Sequence, residues 1–309
     1  MNNQQGSNNK SGLDKKGLLS NLKEKLIEKF FLINGILIIL ILLGIFYLLL
    51  SESIPAFEEI RLTEFLFSAR WNPTSTQQAG YGILSMVVST LLVTLGSMVF
   101  AVPLGIGCAA YLAEVAPPKV REILKPIIEI LAGIPSVVIG FLGIVLVGPL
   151  IANIFNLSNG LNMINGSVLL GIMALPTIIS ISEDAITAVP ESYKHASLAL
   201  GANRWQTLIR VILPASLSGI VASIMLGMGR AIGETMAVLM ATGNAPAMPD
   251  GLFSSVRTMT ATIAVELGEV PYNTTHYYAL FAVGLVLFIM TFIVNLVSDV
   301  FLHKYEEVE

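Results

Sequence analysis

The stretch from Phe30 to Leu50 contains 21 consecutive residues and no charged side chain. A helix of about 20 apolar residues crosses the hydrocarbon core of a membrane, so this stretch has the length of one transmembrane helix. The whole chain agrees, because 54% of its residues are hydrophobic and 12% are charged, against about 25% charged residues in a soluble domain. This composition excludes a cytosolic enzyme and a nucleic-acid-binding domain, and it indicates an integral membrane protein.

Five other apolar stretches predict further spans. One of them, Ile123–Phe155, is interrupted by Pro126 and by the sequence Gly-Ile-Pro-Ser at 133–136. Proline removes a backbone donor and kinks a helix, so we expect this span to be broken. We therefore predict an all-α, polytopic membrane protein with six transmembrane helices. The remaining stretches are Ile83–Leu112, Ser167–Ile186, Leu213–Ala241 and Tyr278–Phe301.

Lysine and arginine residues are divided unevenly between the two sides of these spans. With a cytoplasmic amino terminus, thirteen of the 17 lie in cytoplasmic segments, and only Arg61, Arg70 and Arg257 lie on the opposite side. Cytoplasmic loops of membrane proteins carry an excess of these residues. Both termini are therefore predicted to be cytoplasmic.

About 25 cytoplasmic residues between the fourth and fifth spans are neither a charged tail nor an apolar span. Pro190 suits the first turn of a helix, Gly201 suits a helix end, and Asn203 can cap a second helix. We predict two short helices joined at the glycine. A loop of this length in a chain with otherwise brief connections indicates a docking surface.

This loop resembles the EAA loop of the membrane subunits of ABC importers, which reads Glu-Ala-Ala, three residues, Gly, nine residues and Ile-x-Leu-Pro. The resemblance implies a coupling helix that docks in a groove of a cytoplasmic ATPase. His195 stands where the family usually has Glu, and Glu191, one helical turn earlier, can partly replace that charge. The implied contact residues are Glu191, His195, Ala196, Ser197, Gly201, Leu213 and Pro214.

Two more segments and the last span resemble the PstC-type permeases of phosphate importers, which are type I importers with a MetI-like transmembrane domain. The segments are Gly133–Phe141 and Gly229–Val238, and the similarity extends over roughly Gly80 to Lys304. The resemblance implies phosphate transport across a prokaryotic plasma (inner) membrane. It also implies three protein partners in that lipid bilayer or beside it: a homologous second permease of the PstA type, an ATPase of the PstB type and an extracytoplasmic phosphate-binding protein of the PstS type.

The chain itself has no motif for nucleotide hydrolysis or metal binding. It contains no Gly-Lys-Ser/Thr sequence, and its histidines are scattered among different loops without metal-ligand spacing. We therefore expect no catalytic residue, no metal, no cofactor and no nucleic-acid partner, with ATP hydrolysed by the separate ATPase.

The predicted regions follow from these spans and resemblances. Met1–Gly17 is polar and expected to be disordered, and Leu18–Lys29 has the leucine and lysine spacing of an interfacial helix. The regions are a cytoplasmic tail (1–29), a first transmembrane anchor (30–50), an extracytoplasmic loop (51–80), the permease domain (81–304) with its coupling loop (189–214), and a cytoplasmic tail (305–309).

Arg230 lies inside the fifth predicted span, where a charge costs at least about 2.5 kcal/mol and indicates a function. Glu234 follows at the spacing of an ion pair on one helix face. Because the planar guanidinium donates two parallel hydrogen bonds to an oxyanion, we interpret Arg230 as a transient phosphate site that Glu234 holds until the anion competes. A static pair that fixes helix packing is the alternative.

Ser136 and Thr177 each follow a proline, and both are candidates for a polar path through the membrane. Hydroxyls that bond back to their own helix are an equally compatible interpretation.

Other functions stay open. The same architecture can carry another oxyanion, such as sulfate or molybdate. An ion-coupled secondary anion transporter can use Arg230 and Glu234, but the coupling loop would then have no purpose. A membrane sensor or scaffold predicts an attached cytoplasmic signalling domain, for which the predicted tails are too short.

Overall fold

The structure is a computed structural model that describes the backbone of residues 8–306 except 76–77, and the side chains of residues 24–300 except 76, 77 and 298. Its α-helices are α1 (Asn8–Ser53), α2 (Ala56–Glu59), α3 (Leu62–Phe67), α4 (Leu84–Ala110), α5 (Pro118–Ala132), α6 (Ser136–Leu142), α7 (Gly148–Phe155), α8 (Met163–Thr187), α9 (Glu191–Ala199), α10 (Arg204–Thr207), α11 (Leu213–Ala215), α12 (Leu217–Gly233), α13 (Met236–Ala241), α14 (Met259–Glu266) and α15 (Thr275–Glu306). Strands β1 (Trp71–Asn72) and β2 (Gly80–Tyr81) form an antiparallel ribbon, and π-helical turns cover Tyr111–Val115, Gly143–Val147 and Leu208–Ile212.

The chain divides into two compact units, residues 1–51 and 52–309. In the first unit, α1 is continuous from Asn8, and most of its large apolar side chains between Phe30 and Leu50 are exposed, as lipid-facing residues would be. The expectation of a disordered tail is wrong for residues 8–17, and residues 1–7 lie outside the described part. Extending a helix costs less than starting one, so the apolar run lets the helix continue into the polar residues before it, and no separate interfacial helix forms.

Five helical stretches in the described part of the chain are long and apolar enough to cross a membrane: Glu24–Glu59, Leu84–Val115, Ser136–Phe155, Met163–Thr187 and Thr275–Val297. A sixth crossing results if Arg204–Ala215 and Leu217–Gly233, which are bent by 69°, count as one span. The predicted all-α polytopic architecture is confirmed, and the number of six depends on this bent pair.

Two predicted spans are interrupted by helix breaks in the structure. The third span is Ser136–Phe155 instead of Ile123–Phe155, because the Gly133–Pro135 break separates it from α5, whose lysines, arginine and glutamates disfavour the bilayer core. The fifth predicted span, Leu213–Ala241, is three helices, α11, α12 and α13. The breaks fall at Ser216 and at Glu234–Thr235, where the backbone leaves the regular helical conformation.

The second unit is built around the pair α4 and α8, with α12 packed on α8. Small residues make these contacts close: a methyl group at Gly96 would meet Ser167 Oγ at 2.5 Å. Between α8 and α12, the hydroxyls of Ser182 and Ser223 share a hydrogen bond of 2.7 Å. Small residues and hydroxyls that hydrogen-bond across the contact therefore let these helices approach closely.

A core cluster lies at each end of α4. The described part of the predicted loop 51–80 is folded, with α2, α3 and the β-ribbon packed against the start of α4 and against α14 and α15. At the opposite end, the last turns of α4 and α8 pack on the π-helical turn 208–212 and on α12. We call this second cluster the inner-end core; its buried members are Ala109, Ala110, Ile186, Leu208, Ile212 and Ile220.

Candidate functional site

The coupling segment, residues 189–214, has the two predicted helices. Gly201 has φ +89°, and the N–H groups of Gly201 and Ala202 donate to the carbonyls of Leu198 and Ser197 at 3.0 and 3.2 Å. This is the Schellman arrangement that ends a helix with glycine in the left-handed conformation. Asn203 then starts α10 with a reciprocal capping box to Gln206. The predicted glycine joint and asparagine cap are confirmed.

The predicted docking residues occupy different positions on this segment. Glu191 and His195 are exposed and lie 3.4 Å apart, Oε2 to Nε2, one helical turn from each other. Ala196 and Gly201 are exposed too, whereas Ser197 is buried and its hydroxyl lies 2.9 Å from that of Thr207. Leu213 packs at the edge of the inner-end core, and exposed Pro214 is in the first turn of α11. Ser197 and Leu213 therefore stabilise the segment, and the other five positions can meet a partner.

Two large side chains of the coupling segment are exposed in the described part of the chain. Leu200 is 90% exposed and Trp205 is 66% exposed. Grooves of about 610 and 470 Å³ flank α9; Tyr193, Ala196, Gln206 and Arg210 line the first, and Lys194, Leu198 and Trp205 line the second. Exposed apolar side chains beside grooves are typical of a protein-binding surface.

Lys194 ties the coupling segment to the end of the second span. Its ammonium lies 2.5 Å from Glu114 Oε2, in the π-helical turn that follows α4, and the Glu114 side chain is only 16% exposed. Together with the inner-end core, this ion pair holds α9 against the ends of the spans.

Arg230 lies in the last turn of α12, about 20 Å along the helix axis from Leu217, and its side chain is exposed. The predicted ion pair with Glu234 is wrong: among the described side chains, no salt bridge joins the two. The helix ends at Gly233, and Glu234 has extended dihedral angles (φ −69°, ψ 133°), so the helical i, i+4 geometry does not exist here. Glu234 Oε1 instead accepts the N–H of Ala237 at 3.4 Å, in the first turn of α13.

The other predicted path residues are half-buried and separate from Arg230. Ser136 is the first residue of α6, directly after the Gly133–Pro135 break, and Thr177 lies in the middle of α8 beside buried Pro176. Within the part of the chain whose side chains are described, no hydrogen bond connects Ser136, Thr177 and Arg230 to one another.

A buried carboxylate at the end of α8 was not predicted from the sequence. Glu183 is 1% exposed and binds two cations of α5, Arg121 and Lys125, with Lys125 Nζ at 2.8 Å. The hydrogen bond to Glu183 raises the pKa of Lys125 above its ordinary value despite partial burial, so the ammonium is charged at neutral pH. We call these three residues the carboxylate clamp. The sequence signal was a Glu at the edge of an apolar run, which does not identify its partners, one of which lies 62 residues earlier.

A second unpredicted cluster, the outer network, lies at the opposite end of the bundle. Glu266 accepts hydrogen bonds from Arg257 Nη1 at 2.8 Å and from Trp71 Nε1 at 3.0 and 3.1 Å, and His276 Nε2 lies 2.8 Å from it. Burial alone would raise the pKa of Glu266, but the contacts with His276, Trp71 and Arg257 lower it below its ordinary value of 4.5. The network thereby joins the β-ribbon to α14 and α15.

Glu266→Gln is expected to lower the free energy of unfolding of the purified chain at neutral pH by about 1–3 kcal/mol, because it weakens charge-assisted hydrogen bonds. The folded-state pKa of Glu266 is lowered, so its contribution is complete above the ordinary pKa and is lost as pH falls through the folded value. Thermal unfolding in detergent should therefore show a difference between wild type and variant that shrinks in acid. Glu269→Gln, at an exposed position that lines a pocket together with the outer network, is the control; an equal effect of both variants would contradict the role of the network.

Comparison with protein families identifies the architecture that these features belong to. The family described as "Binding-protein-dependent transport system inner membrane component" matches residues 101–306, which include the coupling segment, the carboxylate clamp and Arg230.

Curated relatives and solved structures agree with this match. The chain is 40% identical over 230 residues to "Probable ABC transporter permease protein YqgH" of Bacillus subtilis, covering 74% of each chain. It is 33% identical over 291 residues to "Phosphate transport system permease protein PstC" of Mesorhizobium japonicum, covering 88% of each. A structure of the MetNI methionine ABC transporter in an inward-facing conformation matches 72% of this chain and 95% of its own, with 21% identity and a TM-score of 0.58, so the two share a fold.

The MetI-like fold and the PstC-type resemblance expected from the sequence are thus confirmed. Membership implies an ATPase, a partner permease and an extracytoplasmic binding protein as the components with which such a subunit works. The chain belongs to the binding-protein-dependent transport system inner membrane component family, and it is a non-catalytic, multi-pass inner-membrane permease subunit of an ABC importer.

Proposed function

We propose that this permease subunit carries inorganic phosphate into the cell, with a PstA-type second permease, a PstB-type ATPase and a PstS-type phosphate-binding protein. The observation that most supports this proposal concerns Arg230, whose guanidinium is exposed on α12 and makes no ion pair with the described side chains. The name of the PstC relative supports phosphate as the anion.

The position of Arg230 favours a site between two permeases. If α12 is part of a span, contact with bare lipid is costly for the guanidinium, so the face of α12 that carries it needs a polar cover or water. A second permease on this face would supply the cover and leave a path between the subunits. Arg230 then donates two parallel hydrogen bonds to the phosphate as it passes.

Glu234 has a different role from the one expected of a counter-ion. Its carboxylate accepts from the first turn of α13, and its backbone carbonyl accepts the hydroxyl of Thr260 at 2.8 Å. In the proposal, Glu234 holds the break between α12 and α13 and leaves the guanidinium to the anion. Ser136 and Thr177 remain proposed hydroxyl contacts along the same path.

The coupling segment is proposed to dock on the ATPase through its exposed residues. Glu191 and His195 present one carboxylate and one imidazole on the exposed face of α9, and Leu200 and Trp205 offer the apolar contacts. This assignment makes the coupling side cytoplasmic, and both termini with it, in agreement with the distribution of lysine and arginine. ATP binding then moves the coupling segment, and the spans alternate between outward- and inward-facing states.

Uptake measurements test the substrate. Cells that lack this gene are expected to lose uptake of labelled phosphate at micromolar concentration and to regain it when the gene is restored, while sulfate uptake stays constant. Unchanged phosphate uptake in a strain without a redundant system would contradict the proposal and leave the importer architecture intact.

A permease for another oxyanion is the second candidate, because the name of the 40% identical relative states no substrate. Loss and recovery of sulfate or molybdate uptake in the same cells would favour it. An ion-coupled carrier predicts uptake that an uncoupler abolishes and that deletion of the ATPase gene leaves unchanged. The exposed coupling segment argues against an ion-coupled carrier, because such a carrier has no ATPase for this segment to bind.

A further inference from the structure

Helix α5 is attached to the bundle in an unusual way. None of its side chains is fully buried, and Ile123, Ile127 and Ile130 are 54–70% exposed. Proline-containing joints flank it, Pro117-Pro118 at its start and Gly133–Pro135 after its end. Because no side chain of α5 is fully buried, its position depends strongly on its polar contacts as well as on half-buried Val120, Leu124 and Ile128.

Those polar contacts converge on α8. Within the described residues, the ion pairs of α5 run from Arg121 and Lys125 to Glu183, with a weaker contact from Lys125 to exposed Asp184 at 3.4 Å. Because Glu183 is buried, it would be left as an unpaired charge if α5 moved away. The clamp therefore keeps α5 on the end of α8.

The end of α8 is in turn attached to the coupling segment. Glu183 lies four residues before Thr187, the last residue of α8, and α9 starts at Glu191. Ile186 belongs to the inner-end core together with Leu208 and Ile212 of the coupling segment. A displacement of the coupling segment thus displaces the end of α8.

The other end of α5 leads to the helix break beside Arg230. The Gly133–Pro135 joint connects α5 to α6, and α6 packs on α13, where Gly140 faces Ala237 and Met240. Helix α13 starts two residues after Glu234. Packed and covalent contacts therefore run without a gap from the coupling segment to this break.

We propose that Glu183 is a positioning residue for transport, which couples movement of the coupling segment to the third span by holding α5 on α8. The inference rests on the proposed function for ATPase docking and does not depend on which anion is carried. The experiment that tests the proposal measures the coupling between ATP hydrolysis and transport directly.

The test uses the whole importer, purified with its partners and reconstituted in vesicles. Glu183→Gln retains the shape of the side chain and removes its charge. We expect unchanged amounts of assembled complex and of ATP hydrolysis, and an about tenfold fall in phosphate moved per ATP hydrolysed. Asp184→Asn removes the neighbouring exposed carboxylate that also contacts Lys125, and it should leave this ratio unchanged. Arg121→Gln leaves Lys125 to neutralise Glu183, so it should lower the ratio of phosphate to ATP by a smaller factor. This variant replaces Glu183→Gln in the test if Glu183→Gln does not assemble.

A distance measurement gives a readout that is independent of the substrate. Spin labels at exposed positions Ile130 and Thr187, in a Cys108→Ser background, should keep one distance in wild type with and without ATP, and a broadened or shifted distance with ATP in Glu183→Gln. An unchanged transport ratio, or equal ATP-dependent changes in wild type and variant, would overturn the proposal. Absence of ATPase from the wild-type complex would overturn it together with the proposed function, whereas failure of phosphate transport alone would affect only the substrate assignment.

Discussion

Arg230→Gln is expected to reduce phosphate uptake by about 100-fold while the chain still inserts in the membrane and retains its ATPase. The loss corresponds to about 3 kcal/mol, the contribution of a charge-assisted bidentate contact that glutamine cannot make. Assembly should be unaffected because Arg230 makes no ion pair with described residues of its own chain. The measurement is uptake of labelled phosphate, with the chain and the ATPase quantified in the same membranes.

Three variants separate the role of Arg230 from its alternatives. Arg230→Lys retains the charge without the planar fork, so uptake should be intermediate. Arg61→Gln removes an exposed arginine whose contact with Glu64 is long, at 3.8 Å, and uptake should be normal. Glu234→Gln retains an oxygen that can accept the N–H of Ala237. If Glu234 acts only as the cap of α13, uptake should be nearly normal; if it acts as the counter-ion of Arg230, uptake should fall strongly. Normal uptake in Arg230→Gln would remove the arginine from the pathway.

Gly201→Asp is expected to reduce the amount of ATPase that co-purifies with the chain by about tenfold or more, because it places an unpaired charge on a surface that docking would bury. A side chain at this position has space, since no described atom outside the adjacent residues lies within 4 Å of the place its Cβ would take, but the φ of +89° strains residues other than glycine. Co-purification through a tag on the permease, normalised to the permease itself, is the measurement.

Gly201→Asn is the matched control for this variant. Asparagine has nearly the same shape as aspartate and, like it, tolerates the left-handed conformation, but it carries no charge. Retention of most of the ATPase by Gly201→Asn would assign the loss in Gly201→Asp to the charge at the interface. Full retention by Gly201→Asp would contradict the docking role of the coupling segment.

Local signals in the sequence predicted the elements that depend on neighbouring residues. The apolar runs mark the spans, and Pro190, Gly201 and Asn203 mark the limits of α9 and α10, because capping is satisfied within a few residues. The same local reasoning failed at Glu234. The predicted pairing with Arg230 assumed an unbroken helix. The helix breaks instead, and the break is stabilised because the Thr260 hydroxyl donates to the backbone carbonyl of Glu234 and the Ala237 N–H donates to its carboxylate.

The carboxylate clamp and the outer network depend on contacts between distant parts of the chain. Glu183 meets Arg121 across 62 residues, and Glu266 meets Trp71 across 195. Glu183 stands at the edge of an apolar run, but nothing near Glu183 or Glu266 in the sequence identifies the residues that pair with them. Their burial follows from how the helices pack.

The sequence by itself determined that this chain spans a membrane, where its coupling segment begins and ends, and which importer family it resembles, because hydropathy, capping and motif spacing are local properties. Only the tertiary structure decided that Arg230 has no ion pair among the described side chains, that α5 is a separate helix and that Glu183 holds it. Side-chain partners across the bundle are selected by packing, and a buried charge is stable only where that packing brings its counter-ions within reach.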